Sequence, residues 1–94
     1  MSQARTTFRV HALQRMFERN ISVEEVESVL KSGLVIEDYP TDFPYPSRLL
    51  LGWNKNRPLH VVEAINRMDN ESIVVTAYQP DPAAWDGEFK RRKP

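Results

Sequence analysis

The chain has 94 residues, 40% of them hydrophobic, with 13 basic and 13 acidic side chains and no cysteine. That length suits one domain with one modest core, and the missing thiols exclude disulfides and thiolate metal centres. The net charge of zero argues against a protein that coats nucleic acid by bulk charge, and no run of ~18 apolar residues exists to span a membrane as a helix.

Residues 1–7 are expected to form a flexible tail. The opening MSQARTTFRV carries no apolar signal core, so a cytoplasmic location is expected. From Arg9 to Asn20 the periodicity is helical: Val10, Ala12, Leu13, Met16 and Phe17 fall on one side, and His11, Gln14, Arg15, Glu18 and Arg19 on the other. Ser22-Val23-Glu24-Glu25 then fits a capping box that opens a second helix, with Ile21 placed to staple onto Val26. Val26, Val29 and Leu30 continue the apolar stripe, and Gly33 is expected to end it in a left-handed cap.

After Gly33 the period changes to that of strands. Leu34–Tyr39 reads as a strand and Pro40–Ser47, with three prolines, as a stiff loop. Strands are predicted at Arg48–Trp53, Leu59–Ile65 and Ser72–Tyr78, separated by turns at 54–57 and 67–70. Short turns make the last three an antiparallel meander. Pro80 and Pro82 end the regular structure, Trp85–Phe89 reads as a loop or one helical turn, and 91–94 as a flexible end. The expectation is a single α+β domain over 1–94. Two N-terminal helices cover one face of a four-stranded antiparallel sheet, and the other face lies open for a site.

The blocks HALQRM, ISVEEV, RPLHVV and VVTAYQPDPAAW occur in that order, and over Phe8 to Arg92 the chain resembles the bacterial family catalogued as domain of unknown function 4258. That family is grouped with RelE-like toxins, and BrnT-like toxins share a similar layout. The resemblance implies two helices followed by a four-stranded antiparallel sheet of RelE/barnase-like form. It further implies a toxin role with RNA as substrate and a small antitoxin protein as partner. No cofactor, metal or membrane follows from it.

RNA can be cut without a metal. A base removes the 2′-hydroxyl proton, a cation stabilises the phosphorane, and an acid protonates the leaving 5′-oxygen. Histidine suits the proton steps and arginine the phosphate. The catalytic candidates are His11 with Arg15 one turn away, His60 within a strand, and Tyr78 at the end of the last strand. Arg48, Thr76, Lys90, Arg91 and Arg92 are the candidates for holding substrate. Each has a plainer reading: a solvated helix face for His11, an Arg15 pair with Glu18 or Glu25 contributing about 0–1 kcal/mol, a half-buried hydrogen-bonded His60, ordinary β-formers at Thr76 and Tyr78, and a solvated tail for the basic run.

Register decides which face His60 takes. Pairing of Asn66 with Glu71 sets His60 opposite Ala77 and toward the helices; a slip of one sets it opposite Tyr78 on the open face. Ile73, Val75 and Ala77 are expected on the helix side. The first functional reading is a metal-independent endoribonuclease, the second a non-catalytic protein- or RNA-binding module on the same sheet face, the third another small enzyme.

Overall fold

A computed structural model of the chain describes residues 5–94. The first four residues of the expected tail lie outside the described part. Seven elements follow in chain order: β1 Arg5–Phe8, α1 Val10–Glu18, α2 Val23–Ser32, β2 Leu34–Tyr39, β3 Ser47–Asn54, β4 Arg57–Asn66 and β5 Glu71–Tyr78. No helix among the described residues is long and apolar enough to cross a membrane.

The sheet has five strands in the order β1-β5-β4-β3-β2. Strands β2 to β5 pair antiparallel, but β1 runs parallel to β5, with Arg5 opposite Glu71 and Phe8 opposite Val74. The expected RelE/barnase-like layout of two helices ahead of a four-stranded antiparallel meander is therefore corrected to a mixed five-stranded sheet. A strand precedes the helices, and Arg5–Thr7, assigned to the tail, belong to it. The physical reason is local. Arg5-Thr6-Thr7-Phe8 is too short to show a period, and no turn joins it to β5. It is held by ladder bonds, by Thr7 Oγ1 donating to Glu71 at 2.6 Å, and by Arg5 against the same carboxylate at 3.4 Å.

The helix pair forms by local signals. The α1 helix closes on Asn20, whose φ of 58° lies in the left-handed region. The Ile21 amide donates to the Met16 carbonyl at 2.8 Å and the Asn20 amide to Phe17 at 3.2 Å, the paired bonds of a Schellman end. Immediately afterwards Ser22 and Glu25 complete the capping box, with exchanged bonds of 2.9 and 3.1 Å. Ile21 and Val26 both enter the core.

Of the predicted apolar side of α1 only Ala12 and Met16 are buried; Val10, Leu13 and Phe17 remain 69%, 42% and 87% exposed. The helix meets the sheet along a narrow stripe rather than its whole apolar arc.

Gly33 departs from expectation as well. Its φ of −71° and ψ of 163° are extended, so no left-handed cap forms. Glycine is there for space: a Cβ at Gly33 would lie 2.4 Å from the Val29 carbonyl oxygen. Gly52 plays the same part on β3, where an added Cβ would lie 2.5 Å from Val29 Cγ2. These two glycines let α2 approach the sheet closely.

Both registers weighed for His60 turn out to hold, in different parts of one ladder. Asn66 pairs with Glu71, yet His60 pairs with Tyr78, because the ladder jumps from Glu63–Val74 to Val62–Thr76. Val75 is the extra residue of a β-bulge. As a result Val74 and Ala77, rather than an unbroken alternation through Ile73 and Val75, join Ala12, Met16, Val26, Val29, Leu50, Leu59 and Val61 in the helix-packed core. His60, Val62, Thr76 and Tyr78 face the other way.

We expect Gly52→Ala to lower unfolding stability by about 1–3 kcal/mol through overpacking against a stiff β-branched neighbour, measured as a shifted denaturant midpoint at constant slope. A variant as stable as the parent would show that α2 does not depend on this close approach.

Candidate functional site

The sheet face away from the helices is covered by the segment after β5. Trp85, 3% exposed, sets its ring edge-on to His60 with centroids 4.4 Å apart. Phe89 packs against Trp53 at 5.9 Å, and Arg92 lies over the Trp85 ring at 4.7 Å. The segment folds on itself through the Trp85–Arg92 bridge and the Lys93 amide bond to the Ala84 carbonyl at 2.9 Å.

His60 is fully buried beneath this cover, and both ring nitrogens are occupied. Nε2 lies 2.8 Å from the Phe89 carbonyl oxygen. A carbonyl only accepts, so Nε2 carries the proton, and Nδ1 is left to accept from the Tyr78 hydroxyl at 3.3 Å. Burial holds the imidazole below its usual pKa, partly offset by the Phe89 carbonyl. Burial likewise pushes the Tyr78 phenol up. At neutral pH the pair is therefore a neutral imidazole facing an intact O–H.

Tyr78 also opens onto a cleft of about 660 Å³ lined by Arg19, Arg57, Tyr78, Gln79, Asp81, Trp85 and Arg92. Its three guanidinium groups are not equivalent. Arg57 donates to the Asn20 and Arg19 carbonyls, each at 2.9 Å, and to Gln79 at 3.2 Å, so it clamps the end of α1 to the sheet. Its remaining charge faces Glu25 at 3.5 Å. Arg92 pairs with Glu37 at 3.3 Å. Arg19 gives one bond to the Ala77 carbonyl at 2.9 Å, and among the described residues it makes no ion pair. Arg19 is thus the cation best able to meet an anion entering the cleft.

The sequence candidates divide into three places. His60, Tyr78 and Arg92 come together here, with Thr76 on the same sheet face one alternation from Tyr78. His11 and Arg15 do not line the cleft; both are exposed on α1, and Arg15 faces Glu18 at 3.5 Å. They share a stripe with Arg19 at steps of four, and only its last member reaches the cleft. Arg48 lies on the helix side of the sheet, its Nε 2.7 Å from Glu63, which also accepts from Ser72. Lys90 pairs with Glu88 at 3.4 Å, and Arg91 belongs to the covering segment through its carbonyl bond to Asp86.

Four contributors were not singled out from sequence. Arg19 is the continuation of the His11–Arg15 stripe, a signal available in the spacing. Arg57 reads as part of a turn, Glu37 as an acid in a strand, and Trp85 as part of a loop or one helical turn, and nothing in their neighbours marks them. Among the described residues no group of three or more His, Cys, Asp or Glu is placed to hold a metal ion.

A family model described as Domain of unknown function (DUF4258) matches residues 8–79, from the end of β1 to the cleft residue Gln79. No curated protein and no solved structure matches the chain.

The burial of His60 has a pH consequence. Its folded pKa is depressed, so between the ordinary imidazole value of 6.5 and the lower folded value the unfolded chain binds a proton that the native chain does not. Stability is full above 6.5 and falls as pH drops through that window. His60→Gln is expected to remove this part of the slope in denaturant unfolding at stepped pH. An unaltered slope would show that another group is responsible.

Proposed function

The chain belongs to the DUF4258 family, and on that premise we propose that it is a metal-independent endoribonuclease of a bacterial toxin–antitoxin pair, acting on RNA in the cytoplasm. The observation that carries this reading is the His60–Tyr78 pair beside a cleft bordered by Arg19, Arg57 and Arg92. The blocks HALQRM, ISVEEV, RPLHVV and VVTAYQPDPAAW resemble that family, and its grouping with RelE-like toxins supports the substrate class and a small antitoxin as partner.

In this reading neutral His60 takes the 2′-hydroxyl proton on Nδ1 as the 2′-oxygen bonds to phosphorus. The bond from phosphorus to the 5′-oxygen breaks, and the leaving oxygen receives the Tyr78 proton. The imidazolium then returns its proton to the Tyr78 oxygen across their 3.3 Å contact, restoring both groups. Arg19 supplies charge to the non-bridging oxygens. Lys90 and Arg91, on the covering segment outside the cleft lining, are assigned in this reading to flanking phosphates. His11 and Arg15, outside the cleft, take no part in the reaction step.

A specific observation favours the second reading, a non-catalytic RNA- or protein-binding module. Both His60 nitrogens are engaged, and Arg57 and Arg92 are already committed within the protein. The two readings separate on single-stranded RNA incubated with purified protein. The nuclease reading expects products ending in 2′,3′-cyclic phosphate, with His60→Ala and Tyr78→Phe each lowering the rate about 10²- to 10⁴-fold. RNA that is retained but intact would establish the binding module instead, and loss of cleavage on His11→Ala equal to that of His60→Ala would move the chemistry to α1.

A further inference from the structure

We propose that residues 80–93 form a strap that gates His60, latched by the ion pair between Arg92 and Glu37. The inference rests on the reading of His60 and Tyr78 as the reacting pair. His60 has no exposed surface, and what seals it comes from one segment: the Trp85 ring at 4.4 Å and the Phe89 carbonyl at 2.8 Å. In this closed state Nδ1 meets only Tyr78, so no 2′-hydroxyl can reach the base. The segment contains neither helix nor strand and follows the family-matched region, which ends at residue 79.

The strap has the construction of a unit that lifts as one piece. Its internal bonds are many. The Asp86 carboxylate accepts from the amides of Glu88 and Lys90, Asp86 donates to the Arg91 carbonyl, and Lys93 donates to Ala84. Beyond the buried Pro80 at its root, its anchors to the sheet are few: the Phe89 carbonyl on His60, ring contacts of Trp85 and Phe89, and Arg92 on Glu37 of β2. The last is exposed, 61% on the arginine side and 25% on the glutamate side. An ion pair so placed is weak and is screened by salt. Arg92 also stacks on Trp85, so releasing Glu37 frees both the ring over His60 and a guanidinium at the mouth of the cleft. A phosphate competing for Arg92 would open the strap and occupy the cleft together.

Labelling of the full chain with diethyl pyrocarbonate, read by peptide mass at each histidine, tests the gate, with exposed His11 as the internal reference. We expect His60 to label slowly in the parent chain. Glu37→Gln and Arg92→Gln should each raise its labelling about two- to fivefold, the range an exposed ion pair supports. Glu88→Gln, which removes the Lys90 contact within the strap but not the latch, should leave it unchanged. A salt series on the parent chain covers the case in which a variant fails to fold, and labelling of His60 should rise with salt. Labelling that ignores both latch variants and salt, or that rises equally in Glu88→Gln, overturns the latch. RNA cleavage by the same variants is scored separately: faster labelling without any cleavage keeps the strap and removes the nuclease, whereas cleavage with unchanged labelling does the reverse.

Discussion

One extra residue in β5 sets the chemistry of both sheet faces. Strands alternate their side chains with a period of two, so a ladder without irregularity would carry the Asn66–Glu71 pairing through to His60 opposite Ala77. Val75 is left unpaired instead. Beyond it Ala77 and Val61 close the core beneath α1 and α2, while His60 and Tyr78 turn to the far face. A buried core and a polar pair can then share the same two strands. Without the bulge, Ala77 would face outward beside His60 and Tyr78 would turn toward the helices on the face of Val61, because β4 keeps its own alternation against β3.

The far face carries a polar network that burial keeps uncharged at its centre and charged at its rim. His60 is held neutral and Tyr78 protonated by desolvation, while Arg92 and Glu37 pair at the exposed border. Arg57 links this face to the helix pair by capping the carbonyls at the end of α1, the end where a cation is favoured. The α1–α2 turn, the start of β4 and the Arg19–Arg57 side of the cleft are therefore one mechanical unit. Motion in the covering segment, which carries Asp81, Trp85 and Arg92 of the opposite side, can leave it in place.

Much of the local structure was legible because its causes are local. The capping box at Ser22 and Glu25, the helix pair, the strands from β2 to β5 and their short turns each follow from a few neighbouring residues. The misreadings have distant causes. Strand β1 acquires its identity from β5, far along the chain. Gly33 ends α2 in an extended rather than left-handed conformation, where an added Cβ would meet the Leu51 carbonyl of β3 at 3.0 Å. The exposure of Val10, Leu13 and Phe17 depends on the angle at which α1 meets the sheet. Of the site, His60, Tyr78 and Arg92 were visible as residue types suited to acid, base and phosphate work, but their meeting was not. His11 and Arg15 read as well as a pair, yet only their stripe's continuation, Arg19, reaches the cleft.

By itself the sequence determined the α+β class, the family and the chemical vocabulary, since periodicity, caps and side-chain chemistry are written within a few residues of one another. Tertiary structure alone decided the parallel edge strand, the bulge that brings Tyr78 onto the face of His60, and the fold-back of Trp85 and Phe89 that seals that histidine. Those outcomes depend on which distant surfaces fit and can be desolvated together, and no short window of the chain contains that information.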